Sequence, residues 1–127
     1  MLGSEPEIYF YAKRRAATGH IFVYAMLQNQ PFAAAMQDEM IRDLEKARPE
    51  YVVFVRDPLS WLRSAGSKVK VLDWWSGGPN SYGAKNYDVV GVIDIVSPER
   101  TEYHWDHLES YRPREGLQLI ICRRIGK

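Results

Sequence analysis

The chain has 127 residues, 17 of them basic and 16 acidic, for a formal net charge of +1. Hydrophobic residues make up 46% and charged residues 26%, a globular balance that excludes disordered, collagen-like and coiled-coil chains and fits one domain. A balance so near neutrality supplies no global field to hold nucleic acid, and no apolar run approaches the ~20 residues of a membrane helix.

Ser4-Glu5-Pro6-Glu7 reads as a capping box, in which the Ser4 hydroxyl accepts from the Glu7 amide and Glu7 reaches back. Proline and acidic residues suit a first helical turn. A helix is therefore expected from near Glu5 through Ile8, Tyr9, Phe10 and Ala12, closed at Thr18-Gly19. Gly3 before a capping box is the usual turn from strand to helix, so Met1-Leu2 reads as a strand stub and the chain as the middle of a larger polypeptide.

Residues 20–24, His-Ile-Phe-Val-Tyr, read as a short strand. Asn29-Gln30-Pro31 opens a second helix, with Phe32, Met36, Met40 or Ile41, and Leu44 inward and Gln37, Asp38, Arg42 and Glu45 toward water. Pro49 ends it. The apolar run at residues 51–55 has the composition of a parallel strand covered on both faces. Ser60-Trp61-Leu62 reads as a loop or short turn, and residues 69–75 as a helix presenting Val71, Leu72 and Trp75.

Residues 87–96 form a long β-branched strand in which Gly91 marks a bulge or a close approach. Residues 97–115 read as a polar, aromatic connection with one helical turn near residues 104–110, and residues 117–122 as the last strand. The order predicts an α/β layered sandwich, a mostly parallel Rossmann-like sheet with an antiparallel C-terminal strand pair, as one unit over residues 1–127.

In a parallel sheet the ligand loops follow the strand carboxyl ends. Those loops hold Ser4, Glu5, Asp57, Ser60 and Trp61, the candidate ligand-binding residues. Capping alone explains Ser4 and Glu5, whose carboxylate also occupies the positive helix end where an anion would sit. The chain has neither GxGxxG nor GxxxxGK[ST]. His104-Trp105-Asp106-His107, with Glu102, offers two histidines at i, i+3 but no frame of three or four metal ligands. A solvated loop around a buried Trp105 is the plainer reading, and no metal or cofactor is assigned.

The lone cysteine, Cys122, permits no internal disulfide and falls in a strand, where a buried thiol is inert. No GxSxG elbow surrounds any serine, so no catalytic residue is assigned. Asp94 and Glu99 are an acid pair whose spacing the sequence leaves open. Trp61, Trp74, Trp75 and Trp105 suit core and rim positions as well as sugar stacking. Lys13-Arg14-Arg15 and Arg123-Arg124 are short charge runs that fit a solvated face or lipid headgroups.

The motif order carries a resemblance. Gly3-Ser4-Glu5-Pro6-Glu7-Ile8-Tyr9-Phe10-Tyr11-Ala12 and Arg15-Ala16-Ala17-Thr18-Gly19 come first, then Gln37-Asp38-Glu39-Met40-Ile41 and Ala47-Arg48-Pro49-Glu50-Tyr51-Val52-Val53. Ser60-Trp61-Leu62, Asp73-Trp74-Trp75, residues 87–92, Thr101-Glu102-Tyr103-His104-Trp105 and residues 120–124 follow. Together they resemble the C-terminal soluble region of bacterial membrane glycosyltransferases of the dolichyl-phosphate-mannose–protein mannosyltransferase and lipid-linked aminoarabinose transferase group.

The resemblance implies a parent enzyme that moves a mannose-like sugar from a polyprenyl-phosphate donor to a protein or lipid acceptor outside the cytoplasm. It places this segment in the periplasm with the membrane part of the same polypeptide as partner, and carries no catalytic residue onto it. The Gly77-Gly78-Pro79 loop and the Arg56-Asp57-Pro58 turn depart from the shared pattern. Two other readings stand beside it. One is a stand-alone small-molecule or nucleotide-binding module using the strand-end loops; the other is an interaction domain anchored by exposed Trp61 or Trp74.

Overall fold

The computed structural model describes residues 1–112 and 116–126. Helix α1 spans Glu7–Tyr11, α2 Ala33–Ala47, α3 Pro58–Trp61, α4 Lys70–Ser76 and α5 Tyr82–Asn86. The strands are β1 Tyr51–Arg56, β2 Tyr87–Ser97, β3 Arg100–His104 and β4 Leu117–Arg124.

The strands make one four-stranded sheet in the order β1-β4-β2-β3, and every strand pair is antiparallel. The expected parallel, Rossmann-like sheet is overturned. A continuous apolar run such as Tyr-Val-Val-Phe-Val reports that both sides of a strand are apolar and carries no direction. Direction is set here by a tight β2–β3 hairpin and by β4 inserting between β1 and β2. Among the described residues the one parallel pairing is an isolated bridge from Leu2 to Phe54 at the free edge of β1. The last two strands foreseen, β2 and β4, are antiparallel neighbours as expected, with a register shift between Val89 and Gly91.

Alternation sorts the sheet into two faces. One carries Val52, Phe54, Ile120, Cys122 and Tyr87, which pack into the core with Met40 and Leu44 of α2 and Val71 and Trp75 of α4. Helix α5 lies close against α4 because Gly83 has no side chain: a Cβ there would stand 2.4 Å from the Trp75 carbonyl oxygen. The opposite face carries Val53, Val55, Leu119, Ile121, Ile93 and Ile95, none of which belongs to that core; Val55 is buried separately, against Gly3.

Helix α2 ends as expected before Pro49, with Arg48 in the left-handed region at φ 44°. Two of its side chains depart from the pattern. Phe32 is exposed, and Gln37, expected in water, is only 1% exposed. Gln37 Nε2 donates to the carbonyls of Met26 (2.7 Å) and Lys68 (3.0 Å), and its Oε1 accepts from Val71 N–H at 3.1 Å. One amide thus satisfies three backbone groups of segments without a ladder.

The expected strand at residues 20–24 is absent; a 3₁₀ turn spans Tyr24–Leu27 and buries Met26 and Leu27. Its backbone is satisfied by side chains, Val23 N–H by the Ser4 hydroxyl (3.1 Å) and Met26 O by Gln37 (2.7 Å). The Ser4 capping box is likewise overturned. Helix α1 begins at Glu7 after Pro6 with no side-chain cap, because the Ser4 hydroxyl is engaged by Val23 instead. The helix stops at Tyr11, well before Thr18-Gly19, and Lys13 takes a positive φ of 50°.

Residues 100–104, read as connection, form β3, and a turn follows in which Ser110 N–H donates to His107 O at 3.2 Å. The stretch around residues 113–115 lies outside the described residues. Trp105, expected buried, is 54% exposed. Its ring lies over Gly91, where a Cβ would meet it at 2.3 Å, so Gly91 is both bulge and close approach.

Candidate functional site

The helix-covered face of the sheet is incompletely filled. Between it and the α4–α5 corner lies a cleft of about 340 Å³ walled by Phe54, Trp75, Tyr87, Val89, Ile120 and Cys122. Phe54 and Ser76 also line a second cleft of about 430 Å³, which runs to Arg56, Asp57 and Trp61. The walls come from four separate segments whose aromatic rings meet at tilted angles. Trp75 stands 5.2 Å from Tyr87 and 6.5 Å from Phe54 between ring centroids.

The polar atoms of this cleft are committed to the fold. Tyr87 Oη donates to Pro49 O at 2.9 Å, Ser76 Oγ to Leu72 O at 3.2 Å, and Ser81 Oγ accepts from Ala84 N–H at 3.4 Å. Burial pushes the Cys122 thiol up to about 11, which leaves it protonated and a poor nucleophile near neutrality. Burial, reinforced by Tyr82, pushes the Tyr87 hydroxyl up to about 12 against the pull of Arg124 and Arg48. The cleft can hold an apolar or aromatic group by contact; its walls offer no activated base or nucleophile.

The five strand-end candidates are placed as follows. Ser4 and Ser60 are brought together, with Ser4 N–H donating to Ser60 Oγ at 2.9 Å, and both are buried. Glu5 folds back against Gly3, and its Oε2 is buried without a hydrogen-bond partner among the described residues. Asp57 caps α3, accepting from Leu59 N–H at 3.0 Å. Trp61 is 6% exposed and its Nε1 donates to Val55 O at 2.7 Å. Asp57 and Trp61 share the second cleft; Ser4, Glu5 and Ser60 do not line it. As an anchor exposed to partners Trp61 is therefore overturned, and Trp74 stacks on Tyr82 at 4.5 Å with its Nε1 on Glu45 at 3.1 Å.

A polar row crosses the sheet that sequence reasoning missed. Register aligns Arg56, Gln118, Asp94 and Glu102 on the helix-side face, one from each strand. Asp94 is 1% exposed and accepts from Gln118 Nε2 at 3.3 Å and from the Tyr111 hydroxyl. His104 stacks on Tyr111 at 3.8 Å, and its Nε2 lies 3.4 Å from Glu102. This row ties the segment after β3 to the sheet. An acid inside a β-branched run was the available signal. Its partner across the strands is Glu102, while Glu99 sits in the hairpin turn beside Ser97.

The two histidines part company. His107 turns out at φ 55° beside Glu109 (3.8 Å), and the described residues contain no group of three or more His, Cys, Asp and Glu placed to hold a metal. Arg48, Lys85 and Arg124 gather at a polar cleft of about 360 Å³. They stand at the carboxyl ends of α2 and α5, where cations offset the helix dipole, and Arg124 Nη1 donates to Arg48 O at 2.7 Å. Among the described residues no helix is long and apolar enough to cross a membrane.

Comparison with known protein families, with curated proteins and with solved structures gave no match to this chain.

Proposed function

We propose that this chain is an accessory, non-catalytic domain of a membrane glycosyltransferase, extracytoplasmic, acting beside a membrane part that transfers a mannose-like sugar from a polyprenyl-phosphate donor to a protein or lipid acceptor. The motif order supports the family. The observation that carries the accessory role is the commitment of four of the five candidate residues: Ser4, Ser60, Asp57 and Trp61 are spent on backbone and capping bonds, and Glu5 is turned in against Gly3. What remains open to solvent on the helix-covered face is an apolar cleft that none of these residues lines. A surface of this kind positions a partner through contact rather than through proton transfer.

Deleting residues 1–127 from the parent enzyme is expected to leave the membrane core in place and lower transfer to acceptor. Val89→Glu, which sets a charge at the exposed cleft mouth, is expected to lower transfer without unfolding the domain. Undiminished transfer by the deletion would overturn the proposal.

A second reading, a small-molecule module, draws on the cleft volume of about 340 Å³, which falls among ligand pockets of ~300–1,000 Å³. An apolar ligand fits those walls better than a nucleotide does. Calorimetry with nucleotides, sugar phosphates and an apolar naphthalene dye separates the cases: heat from a nucleotide alone would contradict this account of the cleft.

A further inference from the structure

An antiparallel sheet with one solvated face ordinarily alternates apolar inward and polar outward. This sheet does not. On the side away from α2, α4 and α5, Val53, Ile121, Leu119, Ile93, Leu117 and Ile95 align in adjacent rows across β1, β4 and β2, while Val55 of β1, opposite Leu119, is covered at 1% exposure against Gly3. All six are partly exposed, and none packs into the core. Tyr103, 63% exposed, extends the middle row onto β3, and Trp105 lies over Gly91 beside it.

We propose that this bare face is an interface between two copies of the chain, packed face to face as a two-sheet sandwich. Three observations select a second copy. The first is shape: a twisted sheet face is its own best complement, since sheets stack ~10 Å apart with their strands ~30° off parallel. A two-fold axis then uses the same patch twice.

The second is area. The three strands β4, β2 and β3, spaced ~4.8 Å apart, with β4 paired from Leu117 to Arg123 at ~3.4 Å per residue, give a footprint of about 340 Å² per copy. Doubled, and enlarged by side-chain relief and by Tyr51, Tyr103 and Trp105 at the rim, that reaches the low end of specific interfaces, ~1,000 Å² in total. A reversible dimer in the micromolar range is the expected result.

The third is charge. The only charged pair in these rows is Asp88 directly opposite Arg123 at one end, and the whole chain is at +1, so a second copy meets no repulsive field. A membrane surface would instead call for a basic rim.

Sedimentation velocity of the 127-residue chain across about 1–200 µM tests this. The expected record is a concentration-dependent shift from monomer to dimer. Leu119→Asp at the patch centre should weaken the dimer at least about tenfold. Because Leu119 lies outside the core, far-UV circular dichroism should be retained. Should Leu119→Asp fail to fold, Thr101→Arg at the patch edge gives the same reading with a smaller loss. Leu59→Asp, exposed on α3 and away from the sheet, should change nothing. A monomer at every concentration, or a dimer indifferent to Leu119→Asp and Thr101→Arg, would overturn the proposal. So would a monomer that floats with vesicles of phosphatidylcholine and phosphatidylglycerol through this face.

Discussion

The two faces of the sheet are built from the same strands and the same residue types, yet they meet different fates. Val52 and Cys122 disappear beneath α2, α4 and Trp75, whereas their neighbours Val53 and Ile121 stay half exposed. The contrast shows that strand composition records what a surface needs, while chain connectivity decides which side receives it. Helices α2, α4 and α5 all fall on one side, so the second apolar face receives none of them and is covered only at Val55, against Gly3.

The contrast sharpens into measurable differences. The largest belongs to Trp75, which joins the α4 helix to Phe54 and Tyr87. Trp75→Ala should cost about 3–5 kcal/mol in urea unfolding; a loss below 1 kcal/mol would mean the aromatic corner does not hold the covered face. Next is Gln37→Leu, which orphans the Met26 and Lys68 carbonyls and the Val71 amide. About 2–4 kcal/mol should be lost, and a neutral effect would show that water replaces the amide.

A smaller effect comes from pH. The Cys122 thiol ionises near 9.0 when unfolded but near 11 when folded, so the folded state holds its proton longer. Its stabilising contribution is complete below pH 9 and is lost as pH rises toward 11, on the order of 2 kcal/mol. Tyr87, raised to about 12, acts in the same direction at higher pH. Comparing the urea midpoint of the wild type and Cys122→Ala between pH 8 and 10.5 should show the steeper fall in the wild type; equal slopes would contradict burial of the thiol.

The smallest concerns the bare face. Gly91→Ala must push aside the Trp105 ring, but that ring is free to swing outward. Stability should move by less than about 1 kcal/mol while tryptophan emission shifts to the red; unchanged emission would place Trp105 elsewhere.

Parts of this were legible in the sequence. The 3.6-residue pattern located α2, and Val71, Leu72 and Trp75 located α4. The β-branched runs located β2 and β4, and Gly91 announced its bulge. What escaped has a physical cause in each case. Strand direction left no trace, because an apolar run on both faces reads alike in either sense. The Arg-Thr-Glu-Tyr-His strand β3 is polar because it is an edge, and only its hairpin with β2 creates it. Residues 20–24 look like a strand, but Ser4 and Gln37 satisfy the neighbouring backbone instead.

The candidate site was legible only in its parts. Asp57 and Trp61 do line a cleft, while Trp75, Tyr87 and Val89 join its neighbour from segments that periodicity treats separately. Polarity alone directs Gln37 to water, although it occupies an inward position with Met40 and Leu44. The partners that make its burial tolerable lie 11 to 34 residues away.

The most direct test sets one truncation on each face against the other. Urea unfolding of dilute monomer should show Val52→Ala costing about 2 kcal/mol and Leu119→Ala, which removes more atoms, costing less than about 1 kcal/mol. Equal losses, or the larger loss at Leu119, would mean that the second face is already covered and that the two-faced account is wrong.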